Sequence, residues 1–183
     1  MEYAENLKPL DLEEIKQAAR DANGCIDNVF LHWSADRYGR VYGEYHLSID
    51  YDGRIYAPDN DLDLLKHRSH TWLRNSGSVG IALTGCYDAE ANGGKDCEFG
   101  SQPPTPAQIE AMAIVVAIIC KYAGVSIRDV YTHCEIASID GYGPGSGDSE
   151  TKWDLWYLPD FDDQMKPGGE VLRGKAQWYM ERV

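Results

Sequence analysis

Two stretches of this chain are apolar at successive positions instead of alternate ones: Asn28-Val29-Phe30-Leu31-His32-Trp33-Ser34 and Ser78-Val79-Gly80-Ile81-Ala82-Leu83. A strand that is apolar toward both faces must be covered on both faces, which places it inside a sheet flanked by helices. The covering helices are legible too. Asp11 and Glu14 make a capping box ahead of Leu12, Ile15, Ala18 and Ala19 at helical spacing, and Gly24 supplies a stop. Thr105, Pro106 and Gln108 form the start of a second helix, which runs through an apolar body to Tyr122 and stops at Gly124. Residues 170–182 read as a final helix with Val171, Leu172 and Tyr179 facing inward.

The connections complete the outline. The runs Tyr45–Ile49 and Arg54–Tyr56 flank Asp50-Tyr51-Asp52-Gly53, a hairpin signal. Asp50-x-Asp52-Gly53 also imitates the opening of a calcium loop, but position 59 is Asp where the bidentate Glu would stand, so it reads as a turn. Tyr87 to Pro104 reads as a long Gly-rich loop, Val125 to Thr132 as a last short strand ending at His133, and residues 140–149 as loop. No repeat or long linker divides the chain. The expectation is an α/β fold: a single domain over residues 1–183, with a mixed central β-sheet flanked by helices.

Composition narrows the function. Lys+Arg is 17 against Asp+Glu 30, a formal net charge of −13. That acidity disfavours nucleic acid and anionic lipid as partners and leaves a largely neutral ligand open. The opening Met1-Glu2-Tyr3-Ala4-Glu5-Asn6 has neither the basic nor the apolar region of a signal peptide. The apolar stretch Ala111 to Cys120 is well short of the ~20 residues that span a bilayer. Synthesis in the cytoplasm without membrane insertion is therefore expected. The five cysteines (Cys25, Cys86, Cys97, Cys120, Cys134) are scattered and odd in number, which favours reduced thiols over a disulfide framework. Oligomeric state is not legible.

Of five histidines, His32 and His133 stand at the ends of expected strands, where sites are commonly assembled. Taken alone, each reads more often as a hydrogen-bonded structural residue than as a ligand. The pattern around them is more specific: Leu31-His32-Trp33-Ser34-Ala35; Tyr45-His46-Leu47-Ser48-Ile49-Asp50-x-Asp52-Gly53-x-Ile55; Ser69-His70-Thr71; Ser78-Val79-Gly80-Ile81-x-Leu83-x-Gly85; Thr132-His133; and Lys152-x-Asp154. In this order and spacing the series resembles the zinc amidase family that includes phage lysozyme-type N-acetylmuramoyl-L-alanine amidases and peptidoglycan recognition proteins.

The resemblance implies hydrolysis of the amide between N-acetylmuramic acid and L-alanine in peptidoglycan or muropeptide. It implies zinc held by His32, His133 and Asp154, with a fourth position open to water. Tyr45 matches a tyrosine that hydrogen-bonds the attacking water, and Lys152 a lysine that faces the oxyanion. His70 matches a groove-lining histidine, with Trp72 and Asn75 as further substrate-binding candidates. If Lys152-Trp153-Asp154 is extended, alternation puts the lysine and the aspartate on one face. His67 makes His-x-x-His with His70, but the family pattern uses only the second position. His46, behind Tyr45, is expected to be buried.

Two features depart from the pattern. The interval from His133 to Asp154 is long, which keeps Asp140 and Asp148 open as third ligands and Cys134 as a remote one. Ala82 stands where some members carry a catalytic glutamate. A phage or prophage endolysin, reaching the wall by holin-type release, is the expected role. The alternatives are a non-catalytic peptidoglycan-binding module and a cytosolic amidase that recycles anhydro-muropeptides.

Overall fold

The computed structural model describes residues 1–92, 96–142, 154–159 and 166–183. In chain order the elements are β1 (Glu2–Tyr3), α1 (Leu12–Asp21), β2 (Asn28–Trp33), β3 (Arg40–Val41), β4 (Leu47–Ile49), β5 (Ile55–Tyr56), β6 (Ser78–Leu83), β7 (Glu90–Asn92), β8 (Asp96–Glu98), α2 (Pro106–Ala123), β9 (Val130–Thr132), α3 (His133–Ile139), β10 (Tyr157–Leu158), β11 (Lys166–Pro167) and α4 (Gly168–Met180). The main sheet has the order β5-β4-β6-β2-β9. Strands β4, β6, β2 and β9 run parallel, and β5 adds antiparallel to the edge of β4. This is the mixed sheet expected, with both doubly apolar segments at its centre.

One face of the sheet packs on α2. Val29, Leu31 and Trp33 of β2 and Val79, Ile81 and Leu83 of β6 join Met112, Val115, Val116, Ile118 and Ile119 in one cluster. Burying each such side chain stabilises the fold by about 1.5–3 kcal/mol. Helices α1 and α4 pack against α2 in turn. By length and hydropathy α2 is also apolar enough to cross a membrane, but 61% of it is buried inside the protein. The alternate residues of the central strands, Phe30 and His32 on β2 with Ser78, Gly80 and Ala82 on β6, lie outside that cluster. They face the opposite side, where the site is built.

The caps form as expected. Asp11 accepts from the Glu14 amide at 2.8 Å, and Thr105 accepts from the Gln108 amide at 3.1 Å. Gln108 does more than cap. Fully buried, its Nε2 donates to the carbonyls of Ile49 at 2.9 Å and Thr84 at 2.7 Å. It thereby ties the ends of β4 and β6 to the start of α2.

Several local expectations change. Residues 87–104 are more than loop, since β7 and β8 pair antiparallel there. The stretch after Gly124 is a 3₁₀ turn, Ile127–Asp129, followed by only three strand residues. His133 does not end a strand; it opens α3, capped by Thr132 accepting from the Glu135 amide at 3.2 Å. Tyr45 and His46 precede β4, although the His46 amide still donates to the Gly80 carbonyl at 2.9 Å. The final helix begins at Gly168, two residues early; Leu172 is fully buried, and Val171 and Tyr179 pack partly buried against the core. Asp50 keeps a turn role: its side chain accepts from the Gly39 amide and the Thr84 hydroxyl, each at 2.7 Å.

Candidate metal centre

Parallel pairing brings the two strand-derived histidines together. β2 and β9 align Leu31 with Thr132, so the next residues, His32 and His133, fall side by side at the carboxyl ends of neighbouring strands. That edge is where open parallel sheets gather ligand groups. Asp154 arrives from a turn. Its carbonyl accepts from the Cys134 amide at 3.4 Å, and the next residue, Leu155, is wholly buried with a left-handed φ of 58°. The start of α4 holds this turn, with the Gly168 amide on the Trp156 carbonyl at 2.9 Å. Gly168 is required for room, because a Cβ there would lie 2.0 Å from the Leu155 carbonyl oxygen.

Three donor atoms stand at the corners of a nearly equilateral triangle. His32 Nδ1 to His133 Nδ1, His32 Nδ1 to Asp154 Oδ2, and His133 Nδ1 to Asp154 Oδ2 are each 3.1 Å. Protons cannot satisfy all three edges. Each edge needs a hydrogen, an Nδ1 carries at most one, and two such hydrogens cannot also bridge the two nitrogens. A cation can satisfy them. Tetrahedral bonds of ~2.0–2.1 Å, as zinc makes to nitrogen and oxygen, set neighbouring donors about 3.3 Å apart. The residues present fit a metal of that kind, and theirs is the cluster of such donors found among the described residues.

The electrostatics agree. Burial pushes the His32 imidazole below its ordinary value, which disfavours its charged form. Burial would raise the Asp154 carboxyl, but the His133 and His32 imidazoles beside it hold it well below the usual carboxylate range. His133 Nε2 is buried without a hydrogen-bond partner among the described residues.

Around the triangle lies a groove of about 670 Å³ whose lining includes Tyr45, His70, Trp72, Asn75, His133 and Asp154. The Tyr45 ring sits 5.1 Å from the His32 ring, centre to centre. Burial, with the Asp154 charge second, pushes its hydroxyl far up, so it remains a neutral donor. His70 is buried, and its pKa is pushed down to about 2 by burial and by His32 nearby. Gly80 makes room for it: a Cβ there would meet the His70 ring at 2.4 Å. Trp72 stands 70% exposed on the rim. Asn75 braces the rim, its Oδ1 accepting from the Thr71 amide at 2.8 Å.

The other candidates separate cleanly. Asp140 is taken up by a two-pronged pair with Arg74 and lies outside the donor cluster, as does Cys134. His67 is exposed, and His46 is buried with both ring nitrogens used, Nε2 donating to the Lys66 carbonyl at 2.8 Å and Nδ1 accepting from Gly80 at 3.0 Å. Lys152, Trp153, Asp148 and most of the 140–149 loop lie outside the described residues, so the expected extended run into Asp154 is seen only at Asp154, which is in a turn. Ala82 pairs with His32 across β2 and β6 and is buried on the site face. Sequence reasoning missed Thr71, whose Oγ1 lies 3.3 Å from His32 Nε2. Its neighbour His70 drew attention, but no spacing marks a lone threonine.

A sheet whose carboxyl edge gathers two imidazoles and a carboxylate defines a protein with a site able to hold a metal. The model of the family described as N-acetylmuramoyl-L-alanine amidase matches residues 12–150, a span that includes His32, Tyr45, His70 and His133 and ends before Asp154. The chain belongs to the N-acetylmuramoyl-L-alanine amidase family. No curated protein matches it. Similar solved structures include the endolysin N-acetylmuramoyl-L-alanine amidase LysCS from Clostridium intestinale URNW, 18% identical over 63% of this chain and 73% of that one, with a TM-score of 0.43. The amidase LysC from the same organism is 18% identical over 74% and 80%, with a TM-score of 0.43. Drosophila peptidoglycan recognition protein SA is 17% identical over 60% and 68%, with a TM-score of 0.42.

Proposed function

We propose that this chain, as one catalytic domain over residues 1–183, is a zinc-dependent amidase that cleaves the bond between N-acetylmuramic acid and L-alanine in peptidoglycan. The observation that carries the reading is the triangle of His32 Nδ1, His133 Nδ1 and Asp154 Oδ2, each pair 3.1 Å apart. Its role is that of a phage or prophage endolysin, made in the cytoplasm and passed to the wall by holin-type release. Family membership supports the substrate class.

Amide hydrolysis needs a water held against the scissile carbonyl, a stabiliser for the oxygen as it takes charge, and a proton for the departing amine. Zinc bound by His32, His133 and Asp154 supplies the Lewis acid that polarises the carbonyl and brings the pKa of water toward ~7. Tyr45, kept protonated by burial, orients the attacking water through its hydroxyl. The family resemblance gives Lys152 the role of stabilising the developing oxyanion; losing one such stabiliser typically costs about 10²–10³ in rate. As water adds to the carbonyl carbon, its proton passes to the amine nitrogen, the C–N bond breaks, and the peptide stem leaves with a free L-alanine amino group. Trp72 offers an exposed ring against which a sugar or stem can pack. His70 and Asn75 shape the wall beside it.

The test pairs metal content with product. Purified protein is expected to hold one zinc per chain and to release stems with new L-alanine amino ends from sacculi, while Asp154→Ala loses both properties. Sacculi bound without new amino ends would favour the binding module instead. A protein that takes up no zinc would end the proposal.

A further inference from the structure

We infer that Thr71 is a positioning residue which, through a one-way chain of hydrogen bonds, fixes His32 in the tautomer whose Nδ1 faces the other two donors. The inference rests on the zinc reading above. The chain starts at a backbone carbonyl, where the direction is unambiguous. Ser78 Oγ lies 2.7 Å from the Arg74 carbonyl and 3.0 Å from that of Asn75, and a carbonyl can only accept. The single Ser78 hydroxyl proton is therefore committed there. His70 Nε2, 3.4 Å from Ser78 Oγ, must then be the donor of that pair.

With the His70 proton on Nε2, its Nδ1 carries a lone pair. Thr71 Oγ1 lies 3.0 Å from that Nδ1, so the threonine hydroxyl donates to it. Having spent its proton, Thr71 Oγ1 can only accept from His32 Nε2, 3.3 Å away. His32 is thus protonated at Nε2 and bare at Nδ1, the atom that stands 3.1 Å from both His133 and Asp154. Every member, from His32 to Ser78, is buried. Gly80 completes the arrangement, since any Cβ there would strike the His70 ring at 2.4 Å and displace the middle link. Partners of this kind fix the orientation and tautomer of metal-binding histidines and raise their basicity.

The experiment measures zinc affinity by chelator competition for the wild type, Thr71→Ser and Thr71→Val. Alongside it, nitrogen-15 NMR reads the His32 tautomer in the metal-free protein. Thr71→Val keeps the shape and removes the hydroxyl, so affinity is expected to fall by about 10–100-fold, the usual effect of losing such a partner. Thr71→Ser is expected to restore most of it. In the metal-free wild type the His32 proton is expected on Nε2, and in Thr71→Val it is expected to distribute over both nitrogens. Unchanged affinity in Thr71→Val, or a wild-type His32 protonated at Nδ1, would overturn the inference even with zinc binding intact. Absence of zinc from the wild type would instead remove the reading beneath it. Should Thr71→Val fail to fold, the wild-type tautomer decides alone.

Discussion

His46 shows what burial does to an ordinary imidazole. It is 1% exposed, both ring nitrogens are used by backbone groups, and desolvation pulls its pKa down to about 4 from an unperturbed 6.5. The unfolded chain therefore binds a proton below pH 6.5 that the folded chain refuses until about pH 4. Stability from this residue is complete above the unfolded value and drains away as pH falls toward the folded one. The shift corresponds to a loss on the order of 3 kcal/mol across that window. Urea denaturation at pH 7 and pH 4.5 is expected to show that loss, accompanied by proton uptake on unfolding. A denaturation midpoint that does not move over this range would contradict it. The site residues repeat the lesson: His32, His133 and Tyr45 were each singled out by type and neighbours, whereas Thr71 bears on His32 only through a fold that sequence spacing does not display.

At the scale of elements, β6 carries a constraint from a side chain eight or more residues away in the loop before it. Gly80 has no left-handed backbone; it is glycine because the His70 ring lies where a Cβ would stand. Gly80→Ala is expected to destabilise the fold by about 1–3 kcal/mol, as overpacking does. Most of that cost should vanish in a His70→Ala background, a coupling that a double-mutant cycle on urea midpoints would read. Full additivity of the two changes would refute the contact. The elements legible in advance were those with a strong local signal: β2 and β6 through their doubly apolar runs, α1 and α2 through complete capping boxes. Helix α3 is masked in the sequence although Thr132-His133-Cys134-Glu135 is itself a capping box, because the β-branched and aromatic run Val130-Tyr131-Thr132 leads straight into it. The β7–β8 ribbon was missed for the opposite reason, its strands being short and rich in residues that favour turns.

Across the whole molecule the net charge of −13 sets the long-range field. Walls coated with teichoic acid are polyanionic and repel such a protein at low ionic strength. Stripped walls are expected to be digested faster than coated ones in dilute buffer, with the gap closing as salt shortens the Debye length to a few ångströms. Turbidity clearing on matched wall preparations measures it, and faster clearing of coated walls would refute it. The sequence implied a mixed sheet with doubly covered central strands, and the family resemblance joined His32 to His133; the strand order and the parallel register that set them side by side come from the structure. The place of the carboxylate does too, since Asp154 depends on a turn that only tertiary packing defines. That turn makes the three-cornered site depend on α4. Both imidazoles belong to segments complete by residue 139, but the acid is seated by Leu155 beneath Gly168, at the head of the last helix. A chain without α4 presents two nitrogens and no anchored oxygen, so retention of a metal at this triangle is expected to be lost together with that helix.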